Sequence, residues 1–151
     1  MGFFDGYNVA TSGMSAQRTR INVVSSNIAN AQSTHSKDGK PYEKQNVVFK
    51  EILLGSQDKS KLKQSSSTID PLALMGVKVS EIGNYQDEKA IMKFEPNHPD
   101  ANKDGYVAYP NINPVIEMVD LIEAMRSYEA NVSAFKTQKE MDTATLDIIK
   151  M

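Results

Sequence analysis

The sequence contains no cysteine among its 151 residues. This absence excludes a disulfide framework, a thiol nucleophile and a cysteine-based zinc site. Only two histidines are present, His35 and His98, and both lie in polar, turn-rich stretches. No nucleotide-binding glycine pattern and no G-x-S-x-G motif occurs. We therefore expect neither a catalytic function nor a cofactor.

Charge of one sign and long apolar runs are also scarce. The formal net charge is −2, and the lysines of 37–44 and 59–63 are diluted by Asp, Ser and Pro, which is typical of solvated loops. We therefore expect no nucleic-acid partner. No run approaches the roughly 18 apolar residues of a membrane span. The first residues also lack the basic and apolar regions of a secretory signal, so export would need a route without a cleaved signal peptide.

An apolar stripe at helical spacing is present near each end of the chain. The first repeats every seven residues with companion positions between: Tyr7, Ala10, Met14, Gln17, Ile21, Val24, Ile28 and Ala31. The second alternates steps of three and four: Met118, Leu121, Met125, Tyr128, Val132 and Phe135. Two helices with such patterns can pack along a common seam. We predict a coiled coil made by the two ends of the chain.

The bounds of both helices can be predicted from local signals. The first helix should run from about Asp5 to Asn30, but it is poor in helix formers and should be largely unfolded until its stripe is buried. The last helix has a good N-cap in Asn113 and Pro114 at its first position. It continues to about Lys150 without Gly or Pro, a length of roughly 54 Å.

The middle of the chain is polar and typical of short strands. We predict extended segments at Tyr42–Leu54, Gly76–Ile82, Ala90–Phe94 and Gly105–Tyr109, with a hairpin across Gly83–Asn84 and a flexible loop at about 55–68. The predicted fold is mainly α with a small β lobe. Its domains would be a terminal-helix rod domain of 1–34 plus 112–151, and a β-rich middle lobe of 35–111.

One segment, Asp100–Gly105, matches the first half of a calcium-binding EF loop. Position twelve of that loop should be Glu and is Asn111, and prolines precede the segment where a helix should stand. A turn stabilised by Asp and Asn side chains is the simpler interpretation. A calcium-responsive binding module remains the alternative function.

The segment Arg20–Ala31, with Ser26-Asn27-Ile28-Ala29-Asn30 at its centre, resembles the signature of the bacterial flagellar rod proteins. Later segments narrow the resemblance to members of the proximal rod: Asp38–Tyr42 with Val47–Phe49, Gly76–Val79, Glu95-Pro96 through Gly105–Val107, and Pro110–Asn113 leading to Glu117–Val119 and Arg126–Val132. The resemblance covers nearly the whole chain outside about 55–75.

The resemblance implies a structural subunit of the flagellar basal body, exported by the type III apparatus. Such proteins polymerise with other rod subunits into a hollow axial shaft, which crosses the periplasm and connects the membrane ring to the distal rod and hook. Implied partners are therefore further copies, other rod subunits and the membrane-ring junction. We predict an assembly interface made of Met14, Ile21, Val24, Asn27, Ile28, Asn30, Met118, Leu121, Met125, Tyr128, Val132 and Phe135.

Overall fold

A computed structural model describes residues 5–35, 39–54, 75–84 and 90–150. Along the chain, one helix precedes four strands and a second helix follows them. The order is α1 (Asp5–Asn30), β1 (Gln45–Leu53), β2 (Met75–Asn84), β3 (Ile91–Phe94), β4 (Tyr106–Tyr109) and α2 (Pro114–Ile149). The mainly helical fold with small antiparallel sheets in the middle is confirmed. The predicted loop at about 55–68 lies outside the described residues.

The helices begin and end where local chemistry predicts. The Asn113 side chain accepts a hydrogen bond of 3.0 Å from the Val115 N–H and so satisfies one free donor of the first turn of α2. Pro114 follows at the first helical position, where a missing N–H costs nothing. With 36 residues against 26, α2 is ten residues longer than α1, so one helix must extend beyond the other when they pair.

The strands form two separate antiparallel pairs. β1 pairs with β2 from Gln45↔Asn84 to Leu53↔Met75, and β3 pairs with β4 from Ile91↔Tyr109 to Phe94↔Tyr106. The predicted hairpin between β2 and β3 across Gly83–Asn84 is wrong. Asn84 is the last residue of β2 that pairs with β1, and it is not a turn residue. β3 instead finds its partner through the 95–105 loop.

Small residues make α1 the middle element of the fold. We call β1 and β2 together the ribbon. The ribbon contacts α1, as does α2, and Ser12 Oγ accepts a hydrogen bond of 3.1 Å from the Val77 N–H. Gly76 is buried at this contact, beside Leu54 and Ser12. The buried apolar residues of α1 are small: Ala10, Ala16, Val23 and Val24. They allow close approach from both sides.

The second hairpin docks beyond the end of α1. Thr34 Oγ1 donates a hydrogen bond of 2.7 Å to Asp100 Oδ2, and Tyr109 Oη donates one of 2.9 Å to Glu95 Oε2. Val107 is fully buried on β4, and Ile112 is buried in the segment that leads to α2. The Thr34–Asp100 hydrogen bond therefore ties the 95–105 loop to the segment that follows α1.

Candidate assembly interface

The two helices meet in an antiparallel seam whose levels are seven residues apart. A Cβ atom added to Gly6 would lie 3.0 Å from Gln138 Oε1, and one added to Gly13 would lie 2.5 Å from Asn131 Oδ1. At the far end, Asn27 Nδ2 donates a hydrogen bond of 3.0 Å to Glu117 Oε2. From one contact to the next, the residue number rises on α1 and falls on α2 by the same amount. The two helices therefore keep one register along the seam.

The same seven-residue spacing assigns Arg20 and Ala124 to the remaining level of this series. Ala124 is completely buried, and Arg20 Nη2 lies 3.5 Å from Asp120 Oδ1 and 3.8 Å from Glu123 Oε2. These ion pairs are partly exposed and so contribute little to stability. We call the four levels the ladder: Gly6–Gln138, Gly13–Asn131, Arg20–Ala124 and Asn27–Glu117. Glycine on α1 makes room for the amide side chains on α2.

An aromatic pair packs beside the ladder at the start of α1. The rings of Tyr7 and Phe135 meet edge to face with centroids 4.9 Å apart. A hydrogen bond to the Asp142 carboxylate, reinforced by burial and by the carboxylate's charge, raises the pKa of Tyr7 to about 12. Asp142 also accepts a hydrogen bond of 3.2 Å from Gln138 Nε2. This cluster closes the seam near the first turn of α1.

Asn27 stands at the centre of a buried polar cluster and is only 1 % exposed. Its Nδ2 donates to Gln45 O at 2.9 Å as well as to Glu117, and its Oδ1 accepts from Gln45 N at 3.0 Å and from Tyr42 Oη at 3.1 Å. All four hydrogen-bonding positions of the amide are therefore used. One side chain joins α1, the start of the ribbon and α2.

Glu117 completes this cluster, which we call the hub (Asn27, Tyr42, Lys44, Gln45 and Glu117). Glu117 is 1 % exposed, and its Oε1 lies 3.0 Å from Lys44 Nζ. A carboxylate this deeply buried needs an opposite charge and a hydrogen-bond donor, and Lys44 supplies the first and Asn27 the second. The predicted interface residue Asn27 is therefore engaged inside its own chain, so any part it has in assembly acts through the shape of this chain.

An apolar stripe on α2 remains uncovered by the seam. We call it the outer stripe: Val115, Met118, Val119, Ile122 and Met125. These side chains are 46 to 68 % exposed in the chain. Further along α2, Met141, Leu146, Ile148 and Ile149 are also exposed. A contiguous apolar stripe of this kind marks an interaction surface more often than a free one.

The twelve predicted interface residues differ in how far they are exposed to solvent and fall into three groups. Val24 and Asn27 are buried within the chain, and Met118 and Met125 lie on the exposed outer stripe. The other eight are partly exposed: Met14, Ile21, Ile28, Asn30, Leu121, Tyr128, Val132 and Phe135. Asn30 Nδ2 donates to Ser26 O at 2.9 Å near the end of α1. The seam thus holds one part of the set, and the outer stripe another.

The sequence patterns missed the polar side of the seam. The apolar stripe of α2 does not identify Glu117, Asn131 and Gln138 as residues that face α1, because all three are polar. The signal was nonetheless present: Gly6, Gly13, Arg20 and Asn27 are spaced by seven, as are Glu117, Ala124, Asn131 and Gln138. Glycine at this spacing opposite amides indicates close approach of two helices.

The segment that resembles half of a calcium loop is a self-supporting turn. Asn102 Oδ1 accepts hydrogen bonds of 2.9 Å from both Asp104 N and Tyr106 N, and Glu95 N donates to Gly105 O at 2.9 Å. Gly105 has a φ of 79°, which a turn of this shape requires. Among the described residues, no three acidic or histidine side chains are grouped to hold a metal. The turn therefore gives the calcium hypothesis no support.

Neither described helix combines the length and apolar character that a membrane span requires.

Comparison with known proteins places this architecture in a class. Residues 8–34 match the family model described as flagella basal body rod protein, and residues 103–148 match the one described as flagellar basal body rod FlgEFG protein C-terminal. The two matches cover most of α1 and most of α2, the helices that form the seam. Over these two segments the chain is thus similar to flagellar rod proteins.

Full-length relatives narrow the class to one family. The chain is 38 % identical to the flagellar basal-body rod protein FlgC of Borreliella burgdorferi, with 99 % of each chain covered. It is 42 % identical to FlgC of Buchnera aphidicola subsp. Schizaphis graminum over 93 % of each chain, and 39 % identical to FlgC of Bacillus subtilis over 97 % of this chain and 98 % of the relative. The chain belongs to the FlgC family. It is a structural subunit of the proximal rod of the flagellar basal body.

Proposed function

We propose that the chain polymerises through its terminal helices into the hollow shaft that transmits torque from the membrane ring to the distal rod and hook. Its role is structural and not catalytic. The observation that carries the proposal is the outer stripe, which the intramolecular seam leaves uncovered. Burying such side chains is worth about 25 cal/mol per Å² of apolar surface, and a neighbouring helix in the rod would supply that cover.

We further propose that α1 and α2 act as an antiparallel coiled coil. Its support is the seven-residue spacing of the ladder and the edge-to-face contact of Tyr7 with Phe135. The corresponding division of the chain is a rod domain of 1–34 plus 112–151 and a middle lobe of 35–111. A stiff helical pair suits a shaft under torque, because it resists bending along its length.

Export of the chain through the type III apparatus, without a cleaved signal peptide, also belongs to this proposal. The weak helix propensity of α1 favours it, since an unpaired α1 is expected to unfold at low cost. The partners we propose at the growing rod are further copies of this chain, other rod subunits and the membrane-ring junction.

The test is a charge placed on the outer stripe. We expect Met125→Asp to abolish rod assembly and motility while leaving export intact, because an unpaired carboxylate buried in an apolar contact costs more than the roughly 2–7 kcal/mol of an unpaired neutral polar group. Rod assembly would be scored by isolating basal bodies, and export by detecting the chain outside the cytoplasm. The variant itself should fold, since Met125 is 46 % exposed in the single chain.

The matched control is Ala134→Asp, which places the same charge on an exposed position of the same helix outside the outer stripe. We expect this variant to swim normally. Normal motility of Met125→Asp would refute the outer stripe as the assembly surface.

A further inference from the structure

One edge of the ribbon borders an open groove of about 580 Å³. Its lining includes Val23 and Val24 of α1, Glu117 and Asp120 of α2, and the six successive residues 44–49. A groove on one face of a strand would touch every second residue, because successive side chains point to opposite faces. Contact with every residue, and with no described residue of β2, places this groove along the outer edge of β1.

The backbone of β1 points hydrogen-bonding groups into this groove. Both the N–H and the C=O of Gln45 bond to the Asn27 side chain, so they point away from β2. In an antiparallel pair this direction recurs at every second residue. Val47 and Phe49 therefore present their N–H and C=O groups to the groove, where no described strand pairs with them.

A contact at the other end of the ribbon confirms this alternation. The register shift within the ribbon places its extra residue, Ser80, in β2 and leaves β1 regular. Val77, which lies opposite Glu51, donates its N–H to Ser12 Oγ and not to β1. The backbone groups of Glu51 therefore also point away from β2, in step with those of Gln45.

The side chains beside this free edge are apolar. Val47 and Phe49 are half-buried, whereas Val48 between them is 52 % exposed, so the first two lie on the covered face of β1. They line the groove together with Val23 and Val24, which are buried. A segment that fits here must supply two free backbone residues and apolar side chains on one face.

Strand β3 has the matching edge. Within the described residues β3 pairs with β4 only, and just beyond this pairing Glu95 N–H donates to Gly105 O. By alternation Lys93 points its backbone groups toward β4, while Met92 and Phe94 point theirs away. Their side chains share one face and are 52 and 64 % exposed. β3 thus carries the two free backbone residues and the apolar face that the groove requires.

We propose that β3 of a second copy of this chain adds to the free edge of β1. Antiparallel pairing sets Val47 opposite Phe94 and Phe49 opposite Met92, and each pair exchanges both of its backbone hydrogen bonds. Paired side chains share a face, so Met92 and Phe94 enter the apolar side of the groove. Two two-stranded sheets would thereby join into one sheet that spans two copies.

The choice of a strand from another copy follows from three observations. The Asn27 amide already occupies the first position of this edge, at Gln45, so an added strand continues an established contact. In its own chain β3 lines a different pocket, beside Ala31 and Pro114. The edge and the added strand lie on different elements, so the contact is heterologous and can repeat from copy to copy. It is separate from the outer stripe and does not rest on it.

Disulfide trapping between two variants tests the pairing, because the natural chain has no cysteine. The proposed alignment sets Val48 opposite Lys93 with Cα atoms about 4.5 Å apart, which is within disulfide reach. Chains with Val48→Cys and chains with Lys93→Cys would be mixed at high concentration and oxidised, and their heterodimer quantified by mass spectrometry. The control heterodimer uses Lys103→Cys in place of Lys93→Cys, since Lys103 is exposed in the loop of the same hairpin.

We expect the test heterodimer to exceed the control at least about tenfold, the factor that one or two net hydrogen bonds provide. Adding Val47→Pro to the Val48→Cys chain should reduce it to the control level, because proline removes the N–H that points into the groove. Glu51→Pro removes an N–H from the same edge outside the groove and should keep the excess. Both variants should fold, because neither removes a hydrogen bond to β2.

An equal yield of the two heterodimers, or an excess that survives Val47→Pro, overturns the proposal. Should Val47→Pro lose the natural circular dichroism spectrum, Met92→Pro in the Lys93→Cys chain removes the facing N–H instead, and an excess that survives there overturns the proposal equally. The excess should persist when both chains also carry Ile122→Asp, which disrupts the outer stripe and leaves the strand edge intact. Its loss there would assign the cross-link to the outer stripe and overturn the strand addition.

Discussion

At the scale of single residues, the side-chain amide of Asn27 makes the two hydrogen bonds to Gln45 that a residue of a neighbouring strand would make. Its amide both donates to and accepts from the backbone of Gln45, as a peptide group does across an antiparallel pair. No other residue type of this size offers both a donor pair and an acceptor: Asp lacks the donors and Leu lacks both. An asparagine at position 27 is therefore explained by its contact with Gln45, the first residue of β1. This contact ties the start of the ribbon to α1.

Tyr7 illustrates how one hydroxyl links stability to pH. Its pKa is raised to about 12 by the hydrogen bond to Asp142, by burial and by the carboxylate's charge, whereas the hydroxyl of an unfolded chain titrates near 10. Between these values the folded chain holds a proton that the unfolded chain releases. The contribution of Tyr7 is therefore complete below about pH 10 and lost as the pH rises through about 12.

We expect Tyr7→Phe to reduce the loss of stability between about pH 10 and 12, because the phenylalanine ring keeps the contact with Phe135 and has no proton to release. Asp142→Asn should reduce it similarly by removing the charged acceptor. The measurement is the thermal midpoint by circular dichroism at several pH values. Asp147→Asn changes an exposed carboxylate further along α2 and should leave the natural pH dependence in place; an equal effect there would contradict the assignment to Tyr7.

At the scale of elements, the helices could be predicted and the strand pairing could not. The seven-residue repeat from Tyr7 to Ile28 and the Asn113-Pro114 start are local signals, and both helices follow them. Which strand pairs with which depends on contacts distant in sequence. Gly83–Asn84 has the composition of a hairpin turn, yet both residues pair with β1, so tertiary context overrides the local preference.

The orientation of α2 shows the limit of counting apolar residues alone. Met118 and Met125 fit a seam pattern with Leu121 and Tyr128, but they lie on the exposed outer stripe, while Glu117 and Ala124 are buried. Two overlapping heptad patterns share Leu121, Tyr128 and Phe135. The partner helix decides between them, because Gly6 and Gly13 accept amide side chains that a larger α1 residue would exclude.

The glycine contact at Gly13 gives a test at this scale. Gly13→Val should destabilise the helix pair by about 1–3 kcal/mol, because its Cβ would approach Asn131 Oδ1 to 2.5 Å. This strain should outweigh the small gain in helix propensity from removing glycine. Urea unfolding followed at 222 nm measures the change.

Shortening the opposing side chain should reverse the effect. The double variant Gly13→Val with Asn131→Ala should recover much of the lost free energy of unfolding. Gly83→Val is the matched control, since a Cβ there meets only Glu81 Oε1 at 3.8 Å. A double variant no more stable than Gly13→Val alone would show that the strain arises elsewhere.

At the scale of the whole molecule, apolar side chains are exposed on more than one element. The outer stripe lies on α2, while Leu53, Met75 and Val77 are exposed on one face of the ribbon. Surfaces on different elements are not copies of one another, so a contact between two chains that uses both would be heterologous. Heterologous contacts that do not close a ring continue into a helical array. A rod subunit requires this geometry.

The purified chain should therefore associate without a fixed endpoint. We expect sedimentation velocity to show an average mass that keeps rising with concentration, because each added chain presents a new uncovered stripe. Ile122→Asp should hold the chain as a monomer over the same range, since it places a charge at the middle of the outer stripe. Ala134→Asp should associate like the natural chain. A single discrete dimer that persists at all higher concentrations would contradict heterologous growth and would indicate a closed, symmetric contact instead.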